Sequence, residues 1–424
     1  MISHFLSVPL ILAVFSIGYL GIIFEHVIKL NKSAIALTIA TLCWSFYFMS
    51  DSVHMAEDLQ QLSHHLADIS QIIFFLMGAM ALVELVDSHK GFKLITDFIH
   101  TRSKRKLLWI IAGISFFLSG ILDNLTTTIL MISLLSKIIP AAKERILFSC
   151  IIVIAANAGG AWTPIGDVTT TMLWINGQIS SMAVIKALFL PSVLSLLIPL
   201  LYYSFTMKKT NNLIAIKKEE QVQEPGAKVV FLFGIGGLVF VPIFKAITGL
   251  PPFVGMLLAL GVVWLVTDFI HRDHEHRSHL KVPSILTKID TSSVLFFLGI
   301  LLSVAVLQTS GLLDSLSVWL IQDVKSLPLI ATLIGIFSAV IDNVPLVAAT
   351  MGMYSTTQFP MDSSFWHMIA YAAGTGGSLL IIGSSAGVAM MGMEKMDFIT
   401  YFKKATFPTF IGYLAGMGLY LLLR

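Results

Sequence analysis

Apolar residues fall in runs long enough to cross a bilayer, separated by short polar or basic stretches, and this pattern predicts helices rather than strands. The runs cover residues 5–23, 33–50, 69–87, 107–138, 146–174 and 183–206. After a charged stretch at 207–228 they resume at 229–246, 253–270, 291–310, 327–354, 365–390 and 405–423. A helix needs about 20 apolar residues to span a hydrocarbon core roughly 30 Å thick, so each run is a candidate span. With no cleavage signal ahead of it, the first run is expected to be retained. The two sets of six share one rhythm, which predicts a unit used twice, over 1–206 and 229–424, with 207–228 as the linker.

Matching phrases support the duplication. Ser119-Gly120-Ile121-Leu122-Asp123-Asn124-Leu125-Thr126 returns as Ser338-Ala339-Val340-Ile341-Asp342-Asn343-Val344-Pro345, and Gly159-Gly160 followed by Gly166 matches Gly376-Gly377 followed by Gly383. The Asp-Asn phrases lie inside apolar runs. An acid at the centre of a bilayer costs roughly 2.5 to 3.5 kcal/mol on insertion scales, so such residues line a pathway or have a partner. Gly120 and Pro345 are expected to loosen the helix at the two phrases, freeing backbone groups toward a cavity. The run after each phrase is interrupted too, at Asn157 to Thr170 and at Gly374 to Ser385, and Gly- or Pro-broken spans are the best sequence pointer to a transporter site.

Composition agrees with a membrane protein: 56% of residues are hydrophobic and 12% charged, against about 25% charged in soluble domains. The net charge of +3 matters less than where charges sit. Suppose 107–138 and 327–354 are re-entrant hairpins, each leaving on the face it entered, while the other ten runs cross. The loops near 24–32, 88–106, 137–145, 207–228, 271–290 and 391–404 then share one side, which holds 23 of the 27 Lys and Arg residues; only Lys186, Lys245, Lys325 and Arg424 lie elsewhere. By the positive-inside rule that side is cytoplasmic and both termini are external. Five crossings per half is an odd number, so the second half is inverted and the hairpin tips meet near the midplane. The predicted fold is an all-α polytopic membrane protein of two inverted-topology repeats, each with five transmembrane helices and one re-entrant hairpin, with broken helices at 146–174 and 365–390.

Oxygen ligands from Asp, Asn, Ser and Thr, with carbonyls freed at the breaks, suit a small alkali cation, and no His-Cys cluster offers a transition metal a home. Asp123, Asp167 and Asp342 have no Lys or Arg inside the same spans, leaving nothing basic there for a carboxylate or oxyanion substrate. A carboxylate that holds either a proton or a metal ion exchanges the two by competition as it faces each side in turn. A hydrogen-bonded tether between hairpins is the plainer role for the Asp-Asn pairs. Asp167 has Ser384 as its counterpart, so the duplication does not vouch for it.

The hairpin-plus-broken-helix plan, with Asp123-Asn124 and Asp342-Asn343 at its tips, resembles the ion transporter superfamily and, within it, the NhaD-type sodium/proton antiporters, over nearly the whole chain. That resemblance implies exchange of Na+ or Li+ for H+, a bacterial inner-membrane location and a homodimer, with no cofactor beyond the transported ions. It carries ion-binding roles to Ser119, Asp123, Asn124, Thr126, Asn157, Asp167, Thr169, Thr170, Ser338, Asp342, Asn343, Ser378 and Ser384, with Asp123, Asp167 and Asp342 as the metal-binding acids. Anion-carrying relatives have Ser-Asn-Thr at the tips, where this chain has Asp in place of Ser in both copies. A gradient-coupled carrier of citrate or arsenite is the alternative, and its donors would come from Asn, Ser, Thr and helix N-termini.

Other features carry less. The run His271 to His279, with four histidines, and the stretch holding His54, Glu57, Asp58, His64 and His65 are read as solvated loops, although the first could bind zinc or sense pH and the second could concentrate cations. Glu84 lines an exit path or snorkels, the Met residues at 351, 353, 390, 391 and 393 are packing, and Cys43 and Cys150 are small apolar fillers. No phosphate-binding Gly-Lys-Ser loop and no nucleophile–base pair or His-Glu zinc motif occurs in the spans, which argues against ATP-driven transport and against an enzyme.

Overall fold

The computed structural model describes residues 2–50, 55–96, 101, 103–207, 224–272 and 275–424, and the regular structure in them is helical. The first half contains α1 (Ile2–Ile23), α2 (Lys32–Ser50), α3 (Met55–Ser88), α4 (Lys104–Ser119), α5 (Asn124–Ile138), α6 (Ala142–Gly160), α7 (Val168–Ile175) and α8 (Ser181–Thr206). The second contains α9 (Ala227–Thr248), α10 (Pro252–Ile270), α11 (Thr291–Thr309), α12 (Leu312–Val324), α13 (Leu327–Phe337), α14 (Asn343–Met353), α15 (Ser364–Gly376), α16 (Ser385–Glu394) and α17 (Phe407–Leu422). Among the described residues, seven helical segments are long and apolar enough to cross a membrane: α2, α3, α8, α9, α10, α11 and Phe398–Leu422.

In each half the fourth and fifth apolar runs are divided into two helices, and a polar side chain restarts the chain at every division. Asp123 accepts from the Thr126 amide at 2.7 Å to open α5, and Asp167 from the Thr169 amide at 2.9 Å to open α7. Asp342 accepts from the Val344 amide at 3.5 Å to open α14, and Ser384 from the Gly387 amide at 3.3 Å to open α16. Asp and Ser are favoured here because their oxygens satisfy amides that a first turn leaves unpaired. Pro345 lies in the first turn of α14. A proline there gives up no helical hydrogen bond, so it seats the restart rather than loosening the helix as expected.

In the first half the outer ends of the divided fourth run lie together. Lys104, at the start of α4, bonds Glu144 at 2.6 Å, and Arg145 donates to the Ile139 carbonyl, just past α5, at 2.9 Å, so both ends meet the first turn of α6. In the second half Ser338 donates to the Ala373 carbonyl, Tyr413 donates to the Thr332 carbonyl and its own carbonyl accepts from Tyr371, so α13 and α15 lie side by side. Tyr354, past α14, packs on Phe365 at the start of α15, with ring centroids 4.8 Å apart.

Polar contacts link the basic loops into one end of the molecule. Ser33 bonds the Ser292 carbonyl at 2.7 Å, Lys288 bonds Ser88 at 2.9 Å, Lys90 pairs with Glu224 at 3.3 Å, and Arg145 pairs with Glu394 at 2.9 Å. Together with Lys104–Glu144, these tie the loops near 24–32, 88–106, 137–145, 271–290 and 391–404 to the C-terminal edge of the linker. Residues 208–223 of that linker lie outside the described residues.

Small residues let the divided helices cross closely, as in membrane helix pairs generally. A side chain on Gly159 would run into the Phe116 carbonyl, and one on Gly376 into the Gly335 carbonyl. Gly159→Val is expected to cost about 1 to 3 kcal/mol by overpacking. Gly113→Val, where a Cβ meets nothing within 4 Å, is the control. Thermal melts of both variants in detergent check the difference; equal melting temperatures would remove the close crossing as a source of stability.

Two stretches read as loops are helical. Residues 55–68 form the first turns of α3, where Asp58 is buried and accepts from Tyr47 at 3.2 Å, and His65 bonds Thr309 at 3.2 Å. Residues 312–324 form α12, bent by 119° from α13. Asp, Glu and His masked a helical spacing of Leu59, Leu62 and Leu66 in the first, and shortness that of Leu312, Leu316 and Leu320 in the second. His54 lies outside the described residues, as do 273 and 274 in the histidine run. His271 is not solvated: it is fully buried, with its Nε2 2.9 Å from Nε2 of His89. Burial at this end of α3 holds the His89 imidazole below its ordinary pKa of 6.5.

Candidate functional site

The four restarts surround one cavity of about 80 Å³, room for a small cation and a few waters. Asp123, Asn124 and Thr126 enter it from the start of α5, Asp167 and Thr171 from α7, Asp342 and Asn343 from α14, and Ser385 from α16. Phe75 and Leu76 of α3 and Phe296 and Phe297 of α11 close the apolar side. Helix N-termini carry partial positive charge, which offsets part of the cost of holding carboxylates at this depth.

Asp167 is the hub. It is 1% exposed, and the tips of both divided runs reach it: Asn124 donates at 2.7 Å and Asn343 at 3.4 Å. Thr169 adds its amide and its hydroxyl, each at 2.9 Å. Asp123 is occupied mainly with its own helix, taking the Thr126 amide at 2.7 Å and hydroxyl at 2.9 Å. Among the described residues no three of His, Cys, Asp or Glu close on one point. The three carboxylates therefore line the cavity as separate groups, and a cation inside meets carboxylate, amide and hydroxyl oxygens together, a hard donor set that fits an alkali ion.

The other residues singled out in the sequence fall into two groups. Asn157 and Thr169 stand one hydrogen bond behind the lining and Ser384 two: Asn157 accepts from Asn124 at 3.3 Å and donates to Ser384 at 3.1 Å. Ser119, Ser338, Thr170 and Ser378 do not reach the cavity. Their hydroxyls donate to the carbonyls of Ala156, Ala373, Asp167 and Thr375, which fastens helix to helix or turn to turn.

The absence of a basic group at the acids needs correction. Lys32 Nζ lies 3.5 Å from Asp342 Oδ2 and 4.4 Å over the Phe296 ring. Lys32 is the first residue of α2, and a Lys at the edge of an apolar run reads as an interface anchor; only the fold brings the Asp342 restart to its level. Ser385, whose hydroxyl donates to Asn124 at 3.3 Å, was missed as well. Its signal was its place beside Ser384 at the break.

Apolar helices long enough to span a bilayer, with shorter helices among them broken around an acid-lined cavity, give the plan of a multi-pass membrane transporter. Residues 19–368 match the CitMHS family, described as citrate transporter. Along the full chain, similar proteins include "Sodium/proton antiporter 1" of Arabidopsis thaliana, 54% identical over 96% of this chain and 71% of its own length. "Sodium/proton antiporter 2" of the same plant is 50% identical, covering 96% and 97%. "Na(+)/H(+) antiporter NhaD" of Vibrio cholerae is 32% identical, covering 97% and 91%. The chain belongs to the CitMHS family, a family of transporters and not of enzymes, and its full-length relatives include the NhaD-type antiporters.

Proposed function

We propose that this protein exchanges Na+ or Li+ for H+ at the cavity around Asp167, with Asp123 and Asp342 as its acidic flanks. The observation that carries the proposal is the convergence of Asn124 and Asn343 on one buried carboxylate. Two tips that both depend on Asp167 feel its occupancy together. A buried carboxylate accommodates one positive charge, a proton or a metal ion, and alternation between the two as the cavity opens to each side is antiport. The names of the relatives support the same ions. A citrate or arsenite substrate is less well served: among the described residues the cation lining the cavity is Lys32, already paired with Asp342.

The two halves are, in this proposal, inverted repeats of five crossings and one re-entrant hairpin each. Support comes from a first-half divided run whose outer ends lie together and from matching tethers, Ser119 to Ala156 and Ser338 to Ala373. The basic end is cytoplasmic by the positive-inside rule, which leaves both termini outside; a bacterial inner membrane and a homodimer complete the proposal. The test is a pH-dye assay in inverted vesicles holding an acid interior. Dequenching on addition of NaCl or LiCl is expected, with none for citrate or arsenite. Dequenching by citrate or arsenite and by no alkali cation would overturn it.

A further inference from the structure

Lys32 and Asp342 line two cavities at once. One is the acid-lined cavity with Asp123 and Asp167; the other is a smaller crevice walled by Tyr19, Ile22, Glu25, Val340 and Ser384. The ion pair is thus part of the partition between them. Its backbone supports are firm. Asp342 caps α14, and the residues flanking Lys32 are fastened to the start of α11: Asn31 donates to Ser292 Oγ at 3.2 Å, and Ser33 to the Ser292 carbonyl at 2.7 Å. What can move is the lysine's four-carbon stem. Its ammonium already lies 4.4 Å above Phe296, an aromatic face that still holds it when it leaves the carboxylate.

We propose, on the basis of the cation exchange above, that Lys32 is a tethered competitor for the transported ion. Its ammonium neutralises Asp342 while the cavity is empty, and a metal ion entering between the two cavities displaces it from that carboxylate while the Phe296 face continues to hold it. Lys32 thereby sets the apparent affinity for Na+ from inside the protein. An ammonium suits this role better than a guanidinium fork, because it is a compact point charge on a flexible stem and is not held bidentately.

The test compares wild type, Lys32→Gln, Lys32→Met and Lys32→Arg in inverted vesicles at fixed pH, titrating NaCl. Lys32→Gln is expected to lower the half-saturating Na+ concentration about threefold to tenfold, as befits loss of one partly exposed like charge beside the site. Lys32→Met, which keeps a stem over Phe296, is expected to behave the same way, and Lys32→Arg is expected to stay near wild type or above it. Damaged packing lowers the maximal rate but does not tighten Na+ binding, so the direction of the change separates the two roles. Half-saturation unchanged or raised in both neutral variants would overturn the proposal. A wild type that exchanges no alkali cation would instead bring down the function on which it rests.

Discussion

Asp167→Asn is expected to abolish Na+-driven dequenching in inverted vesicles while the protein accumulates to wild-type levels. The carboxylate takes donors from Asn124, Asn343 and Thr169. An amide of the same shape removes the charge and turns an NH2 toward two other NH2 groups, so the tips lose the acceptor they share. Losing a buried, hydrogen-bonded charge partner costs a bound ion about 3 to 5 kcal/mol, which is on the order of a hundredfold or more in transport at a given Na+ concentration. Folding is spared because Asn caps a helix about as well as Asp. The same logic ranks the other acids. Asp123→Asn also preserves its cap and removes a charge whose oxygens are already committed to Thr126, so a smaller loss is expected there. Exchange by Asp167→Asn at wild-type Na+ dependence would place the ion elsewhere.

The Asp-Asn phrases were legible because the sequence carries them twice. Asp123-Asn124 and Asp342-Asn343 recur at matched positions, and the structure brings both asparagines to one carboxylate. That carboxylate was the weakest of the three by sequence for the same reason: a hub where two tips meet has room for one residue, so the matching position holds Ser384, a hydrogen bond away from Asn157. The tip serines misled in the opposite direction. Ser119 and Ser338 recur because each copy needs the same tether to its broken helix, not because either faces the cavity. Lys32 was invisible because it has no partner in sequence and stands where basic residues ordinarily mark a membrane surface. The helical pattern over 55–68 was hidden by polarity, since a stretch rich in Asp, Glu or His at the end of a span reads as loop until its buried partners are known; that over 312–324 is mostly apolar but only 13 residues long, too short to count as a span.

The largest effect on stability is expected at Arg145. Its guanidinium holds the fully buried carboxylate of Glu394 through Nε at 2.9 Å and Nη2 at 2.9 Å, and its Nη1 takes the carbonyls of Ile139 and Pro140 at 2.9 and 2.7 Å. Among the described residues Ser149 is the other side-chain donor to Glu394, at 3.1 Å. One side chain therefore joins the exit of α5, the start of α6 and the end of α16, binding the first half of the chain to the second at the basic end. Arg145→Met strands Glu394 as a buried charge with one hydroxyl for company, a change that costs about 3 to 5 kcal/mol. Replacing both partners is far milder, because apolar groups of similar size leave no charge to satisfy, and such exchanges are often neutral. Arg145→Met is therefore expected to melt well below wild type in detergent, and Arg145→Met with Glu394→Met to recover most of the loss. Because α16 is 10 residues long, its far end, which carries Ser384 and Ser385, is about 15 Å away, so the single variant should also raise the Na+ concentration needed for half-maximal exchange before it melts. A single variant that melts within about one degree of wild type would show that the pair sets geometry without contributing stability.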